Sequence, residues 1–369
     1  MPKIHVHLAP VRDRSYDIEI QPGILERLPE RIARAEGARR IFVITDTTVA
    51  RLYGEKFHRA LVHEGADVVL LDFPAGEKSK SPLTALGIQT RLLGEGITRD
   101  SLIVALGGGV VGDLAGYVAA TILRGVRFIQ VPTTLLAQSD SSIGGKVGID
   151  HSSGKNLIGA FHQPSAVYID PRTLRTLPAE EFRSGLAEVV KIAAALDRRF
   201  FSVIERNADR IRRGNEALIT RLIAAAVGLK ASVVARDERD AGIRSALNLG
   251  HSIGHALEAS TQFELKHGYA VSIGMVLESR LASEIGLLEE RETERLARTL
   301  RAAGLPTVPP NRLNFAHFES ALLQDKKSDA SGLKMTLLRR IGTCALGIPV
   351  SIETVRKIMG QASRKRTRG

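Results

Sequence analysis

Ser101-Leu102-Ile103-Val104-Ala105-Leu106-Gly107-Gly108-Gly109-Val110-Val111-Gly112-Asp113 is a short apolar run that ends in a cluster of glycines. Leu102–Leu106 reads as a buried strand, and 114–123 reads as the helix that follows it. Strand, glycine turn and helix together aim backbone N–H groups and a positive helix end at one point, which suits a phosphate. The spacing Gly107-x-Gly109-x-x-Gly112 also fits a dinucleotide-binding turn, although three glycines can equally serve a tight turn with close packing. An acidic residue usually holds the adenosine ribose about 20 residues further on. Here Arg124 and Arg127 stand in that region instead.

Working outward, strands alternate with helices up to about residue 175. The predicted strands are Ile4–Leu8, Tyr16–Ile20, Arg40–Thr45, Asp67–Leu71, Leu102–Leu106, Phe128–Val131 and Val167–Ile169, with helical patterns such as Leu83–Leu93 between several of them. Such alternation gives a largely parallel sheet covered by helices. Thr45-Asp46-Thr47-Thr48 and Ala75-Gly76-Glu77-Lys78-Ser79-Lys80 each follow a strand, at the carboxyl edge where these sheets bind ligands. After Pro178 the pattern changes to long helices over Ala179–Leu196, Glu216–Arg236, His251–Ser260 and Gly268–Ile285. The expected architecture is an α/β Rossmann-like N-terminal domain (1–175) joined to a mostly α-helical C-terminal domain (176–369). The active site is expected in the cleft between them.

Composition limits the function. A chain of 369 residues exceeds one ordinary core, and 44% hydrophobic with 25% charged residues is a globular balance. The single Cys344 excludes an intrachain disulfide framework and suits a reducing compartment. Pro2–His7 opens a strand rather than a secretory signal, and no 18-residue apolar span is expected, so a cytoplasmic protein without a membrane partner is predicted. The net charge of +12 is spread along the chain and aromatics are only 4%, a poor basis for stacking on nucleic-acid bases. A basic field also draws in small anions. The tail Arg364-Lys365-Arg366-Thr367-Arg368-Gly369 reads as a frayed, solvated end, and no specific nucleic-acid partner is expected.

Chemistry-bearing residues concentrate beyond the glycine turn. Pro132-Thr133-Thr134 and Ser139-Asp140-Ser141-Ser142 lead into Gly144-Gly145-Lys146, then Gly154-Lys155-Asn156. Two Gly-Lys turns with Arg124 upstream place cations on permissive backbone, suited to an anionic group. Glu188 and Lys191 stand three apart on one helix face. His251 and His255 are helical neighbours, and His267 follows beside Gly268. A glutamate plus two histidines with an open position is a catalytic Zn²⁺ pattern, but spacing alone does not choose which two histidines.

The combined motifs resemble the 3-dehydroquinate synthase family of sugar-phosphate cyclases over nearly the whole chain. The stretches that carry it are 107–116, Arg124-Gly125, 132–138, 140–146, 154–161, 184–191, 247–255, His267-Gly268 and Asp325-Lys326-Lys327. The resemblance implies conversion of 3-deoxy-D-arabino-heptulosonate 7-phosphate to 3-dehydroquinate and phosphate. NAD oxidises a ring hydroxyl, phosphate is eliminated, the ketone is reduced again, and an aldol closure makes the carbocycle. It assigns one divalent metal, Zn²⁺ or Co²⁺, to Glu188, His251 and His267. It assigns NAD to Asp46, Gly76, Glu77, Lys80, Gly107, Gly108, Gly109, Val110, Val111, Gly112, Asp113, Thr133, Thr134, Lys146, Lys155, Thr173, Leu174, Arg175 and Thr176. Substrate phosphate, hydroxyls and carboxylate fall to Arg124, Asp140, Lys146, Asn156, Lys191, Lys230, Arg244, Asn248 and His255, with Lys326 or Lys327. Arg124 is allowed to come from a second subunit, and a homodimer is expected.

Four positions depart from the family pattern: Thr48 for asparagine, Ala75 for aspartate, Asp240 for glutamate, and Tyr269 for the glutamate after His267-Gly268. Tyr269 or another group must then accept from the second nitrogen of a ligating histidine. Asn248 is expected on the same helical side as His251. A sister cyclase acting on a sugar without a carboxylate would lack cations such as Lys230 and Arg244. A polyol dehydrogenase would leave the two Gly-Lys turns unexplained.

Overall fold

The computed structural model describes residues 13–34, 40–152, 154–311, 313–324, 328–329 and 332–366. The predicted strand Ile4–Leu8 lies outside the described residues, as do Lys326 and Lys327. The first half of the chain carries β1 (Asp17–Ile20), β2 (Ile41–Asp46), β3 (Val68–Phe73), β4 (Leu102–Gly107), β5 (Arg127–Pro132) and β8 (Ala166–Ile169), in the order β1-β8-β5-β4-β2-β3. Every neighbouring pair is parallel. β4 is buried throughout because helices cover both faces, which is why it reads as an unbroken apolar run. Alternate residues of β2 serve opposite cores: Phe42 and Ile44 pack with Leu114 and Phe128, whereas Ile41 and Val43 pack with Leu61 and Val131.

From β2 the chain runs out to the edge strand β3, then returns past β2 to β4. That reversal opens a crevice at the carboxyl ends of β2 and β4, the usual ligand position in such sheets. The helix after β4 spans Gly109–Thr121 and so begins at Gly109 rather than Leu114. Of the glycines expected to form a separate turn, Gly107 ends β4, and Gly109 and Gly112 lie in the helix's first turn. Gly108 is the N-cap, and no side chain caps the helix, so its first N–H groups face the crevice.

Two small antiparallel sheets were not anticipated. β6 (Lys146–His151) pairs with β7 (Gly154–Phe161), so Lys155 and Asn156 lie on a strand rather than in a loop. The second half contains the helices Ala179–Leu196, Arg198–Arg212, Glu216–Arg236, His251–Ser260, His267–Glu284 and Glu290–Ala302. It is not wholly helical, however. β9 (Ser328–Asp329), β10 (Gly332–Arg340) and β11 (Thr343–Val350) form a small sheet. Leu333, Met335 and Leu337 of that sheet are buried in the same core as the helices. The expectation of no long apolar span also needs correction: Glu216–Arg236 is long and apolar enough to cross a membrane. Half of that stretch is buried against the rest of the protein, and the helix carries Lys230 inward, as a core helix does.

Candidate active site

At the crevice, Asp46 is tied to its own turn, its Oδ1 accepting from Thr48 N (2.8 Å) and Val49 N (2.9 Å). Thr133 N donates to Gly107 O (2.9 Å), joining the ends of β4 and β5. Buried Lys80 donates to Asp113 Oδ2 (2.6 Å) and to Asn156 Oδ1. Burial alone would lower the Lys80 pKa, but Asp113 outweighs it and the net direction is upward. Asp150 N donates to Lys80 O (2.8 Å), so the β6–β7 hairpin is pinned to the turn that carries Gly76 and Glu77. Thr173, Leu174, Arg175 and Thr176 share one 3₁₀ segment, Pro171–Thr176. Within it the Thr173 hydroxyl is buried and donates to Asp170 O (2.9 Å), while Arg175 pairs with Glu216 (2.6 Å).

On the helical side, Glu188, His251 and His267 present ligand atoms that all lie within 4.8 Å of one another. Glu188 is 1% exposed; its Oε1 lies 3.3 Å from His267 Nε2 and 3.8 Å from His251 Nε2. Lys191 Nζ lies 2.5 Å from Oε2, yet neither Glu188 oxygen has a well-formed hydrogen bond. Orphaned buried carboxylate oxygens facing two imidazole nitrogens are a donor set that fits a divalent cation. Burial would push the Glu188 carboxyl up, but Lys191 and the two histidines hold it well below its usual range. His251 is pushed well below its ordinary value by burial and then by Lys191.

The orientation of the histidines bears on which group accepts, Tyr269 or another. His251 Nδ1 meets Leu249 O (3.2 Å) and His267 Nδ1 meets Glu258 Oε2 (3.1 Å). Tyr269 instead accepts from Arg183 Nε (3.0 Å). Asn248 falls differently from the expectation: it ends the 3₁₀ segment Ile243–Asn248, and Gly250 at φ 80° separates it from the His251 helix. Only glycine takes that conformation without strain, so the helix restarts at His251 and the two residues do not share one helical face.

A cluster of charges lies next to the histidines. Asp140 receives Lys230 Nζ on both its carboxylate and its carbonyl oxygen (2.7 Å for the carbonyl), and Lys191 Nζ is 3.6 Å away. Both lysines are buried. Burial opposes a lowered pKa at Asp140, but Lys191 and Lys230 prevail. Arg244, also buried, donates to Gly144 O (3.2 Å) and Glu238 O (2.5 Å). Lys146 pairs with Asp240, which holds φ 58°. The His255 ring lies 5.2 Å from that of His251. Arg124 is exposed, at φ 65°, just past the Gly109–Thr121 helix.

Glu258 and Glu278 escaped the sequence reading. Glu258 belongs to the histidine face: with His251 and His255 it makes positions i, i+4 and i+7 of one helix. Glu278, fully buried, accepts from Gly250 N and Ile253 N (3.1 Å) and so braces the start of that helix.

Residues 70–184 match the 3-dehydroquinate synthase N-terminal family and residues 185–328 the 3-dehydroquinate synthase C-terminal family. The chain is 45% identical over 335 residues to the 3-dehydroquinate synthase of Pelobacter propionicus, covering 90% of this chain and 93% of that protein. Among solved structures, 2-epi-5-epi-valiolone synthase from Streptomyces hygroscopicus, with NAD⁺ and Zn²⁺ bound, is similar with a TM-score of 0.88 and 28% identity over 98% of this chain and all of that one. A 2-deoxy-scyllo-inosose synthase complexed with carbaglucose-6-phosphate, NAD⁺ and Co²⁺ gives 0.86 and 28% over 94% of this chain and 96% of that one. Family matches over both halves, together with identity over nearly the full length, lead to one conclusion: the chain belongs to the 3-dehydroquinate synthase family.

Proposed function

We propose that the chain converts 3-deoxy-D-arabino-heptulosonate 7-phosphate to 3-dehydroquinate and inorganic phosphate, as a phosphate-eliminating lyase dependent on NAD and one divalent metal, Zn²⁺ or Co²⁺. The observation that carries this reading is the three-donor cluster of Glu188, His251 and His267 beside two buried lysines, Lys191 and Lys230, that share Asp140. A neutral polyol would not need those cations. When bound, NAD supplies reversible hydride acceptance and the metal supplies Lewis acidity toward a substrate oxygen.

The chain's own part is binding and orientation. Glu188, His251 and His267 hold the metal. Asp46, Gly76, Glu77, Lys80, the Gly107–Asp113 turn, Thr133, Thr134, Lys155 and the Thr173–Thr176 segment hold NAD. Lys146, Asn156, His255 and Arg124 gather the phosphate, Arg124 coming from the second subunit of a homodimer. Lys230, Arg244, Asn248 and one of Lys326 and Lys327 read the carboxylate and hydroxyls, and Asp140 with Lys191 orients them. The departing phosphate takes the proton itself, so positioning rather than a strong protein base provides the rate. In this reading residues 1–175 form the NAD-binding domain and 176–369 the metal and substrate domain of a cytoplasmic biosynthetic enzyme.

The test is incubation with the heptulosonate phosphate and trace NAD. Phosphate and 3-dehydroquinate should appear in equal amounts over many turnovers without NADH accumulating. Chelation should stop the reaction, and Zn²⁺ or Co²⁺ should restore it. One NADH formed per substrate consumed would make the protein a dehydrogenase instead.

A further inference from the structure

Glu258 lies on the boundary between the two sides of the site. Its side chain is 2% exposed, and both oxygens are engaged by different elements. Oε2 meets His267 Nδ1 at 3.1 Å, and Oε1 accepts from Lys155 Nζ at 3.0 Å. Lys155 comes from β7, next to the crevice, where it also lies 3.8 Å from Glu77. The opposite nitrogen of His267 faces Glu188 at 3.3 Å. The imidazole is therefore held between two carboxylates on its two nitrogens. A carboxylate is an acceptor only, so at Nδ1 it requires the N–H there. With Nδ1 committed to Glu258, Nε2 is the nitrogen whose lone pair would be available to a cation lying between it and Glu188.

The chain just beyond Glu258 is shaped to the same end. Phe263 N donates back to Glu258 O (2.8 Å), and Gln262 (φ 51°) and Phe263 (φ 63°) are consecutive non-glycine residues in the left-handed region. Such backbone is costly and persists where surrounding contacts enforce it. Its result is to set the Phe263 ring 4.8 Å from Lys155 Nζ, a cation–π contact on the lysine that Glu258 holds.

We infer that Glu258 is a positioning residue that fixes the tautomer and direction of His267 while holding Lys155, so that one carboxylate couples the metal side of the cleft to the NAD side. This rests on the metal assignment to Glu188, His251 and His267. A rival placement is built from the same atoms, because His255, Glu258 and His267 also present ligand atoms within 4.8 Å of one another.

Zinc affinity of the full chain, measured by competition with a chromophoric chelator, separates these cases. Glu258→Gln should weaken zinc about 10- to 100-fold, the range seen when a carboxylate behind a ligating histidine is lost. Glu258→Gln should also weaken NAD at least about threefold in a direct titration, and Lys155→Met should weaken NAD while leaving zinc within about threefold. With cobalt at saturation, the visible absorption bands of Glu258→Gln should shift relative to the unmodified protein, a change in ligand field that a merely structural role would not produce. Zinc affinity within threefold and unshifted cobalt bands in a folded Glu258→Gln protein would overturn the inference. Loss of zinc in both Glu258→Gln and His255→Gln, with Glu188→Gln unaffected, would show Glu258 to be a ligand and overturn it together with the metal assignment. If Glu188→Gln loses zinc while Glu258→Gln does not, the assignment stands and only the positioning role fails.

Discussion

At the carboxyl edge of the sheet the groups offered to a ligand are mostly backbone atoms, whereas in the helical cleft they are charged side chains. The first region is made by topology: a reversal of strand order, a glycine N-cap and helix N–H groups with no side-chain cap. The second is made by burial. Glu188, Lys191, Lys230, Arg244 and Glu258 are all nearly inaccessible, and each is tolerated because an opposite charge or a carbonyl lies against it. The two regions should therefore fail differently: the crevice when a side chain is added, the cleft when a charge is removed.

The largest effect is expected in the cleft. Asp140 is the only carboxylate within ion-pair distance of Lys230 among the described residues, and it also lies near Lys191. Asp140→Asn should cost roughly 3–5 kcal/mol, the usual consequence of leaving a buried charge without its counter-ion. A urea midpoint of the metal-free protein measures it, and a shift below about 1 kcal/mol would mean the lysines find water or another partner. The pH dependence follows from the lowered folded-state pKa of Asp140, which burial opposes and the two lysines enforce. Its contribution is present above the unfolded carboxyl value of about 3.9 and is lost as pH falls through the lower folded value. Below about pH 4, stability should fall more steeply in the unmodified protein than in Asp140→Asn.

A smaller effect is expected at the crevice, from an added methyl group. A Cβ on Gly107 would lie 2.7 Å from Val111 Cβ and 2.5 Å from Val111 Cγ2. Val111 is fully buried in the first turn of the helix, and a branched Cβ cannot swing aside. Gly107→Ala should therefore displace that turn, at the roughly 1–3 kcal/mol typical of overpacking. NAD affinity should fall only by what it costs to restore that turn on binding, at most about 150-fold. Zinc affinity should stay within threefold, because none of Glu188, His251 and His267, the proposed metal ligands, lies on this turn. A comparable loss of both ligands would merge the two regions into one cooperative unit.

The same contrast explains what could be read from the sequence. Topology-borne features are local in the chain: β2, β4 and β5 fall within a residue or two of their predicted ends, and Ala179–Leu196 and Glu216–Arg236 match their predictions. The start of the Gly109 helix was missed because glycine signals a turn, whereas here it supplies an N-cap and close packing. The β10–β11 hairpin left a signal that went unread, the alternation of Leu333, Met335 and Leu337 with Lys334 and Thr336 before Gly342 at φ 90°. The cleft draws on residues from Asp140 to His267, and no local pattern joins these. Spacing suggested a histidine cluster, and family resemblance was needed to single out Glu188, His251 and His267. Glu258 was legible in principle, being on the His251–His255 face, but its partners Lys155 and His267 come from other elements.

Tyr269 gives the smallest expected effect and the sharpest separation within the cleft. It occupies the place of the family's glutamate two residues after His267, which makes it the obvious acceptor for a ligating imidazole. In the fold His267 Nδ1 meets Glu258 Oε2 at 3.1 Å instead, and the Tyr269 hydroxyl accepts from Arg183 Nε at 3.0 Å. Tyr269→Phe removes the hydroxyl and keeps the ring, so it should lose one partly buried hydrogen bond, about 0.5–1.5 kcal/mol of stability. Zinc affinity should change by less than about threefold, or ~0.7 kcal/mol, against the 10- to 100-fold expected for Glu258→Gln. Chelator competition on the two variants side by side decides the matter. If Tyr269→Phe weakens zinc tenfold or more, the side chain reaches the histidines through Arg183, and the family's glutamate position still serves the metal with a different residue in it.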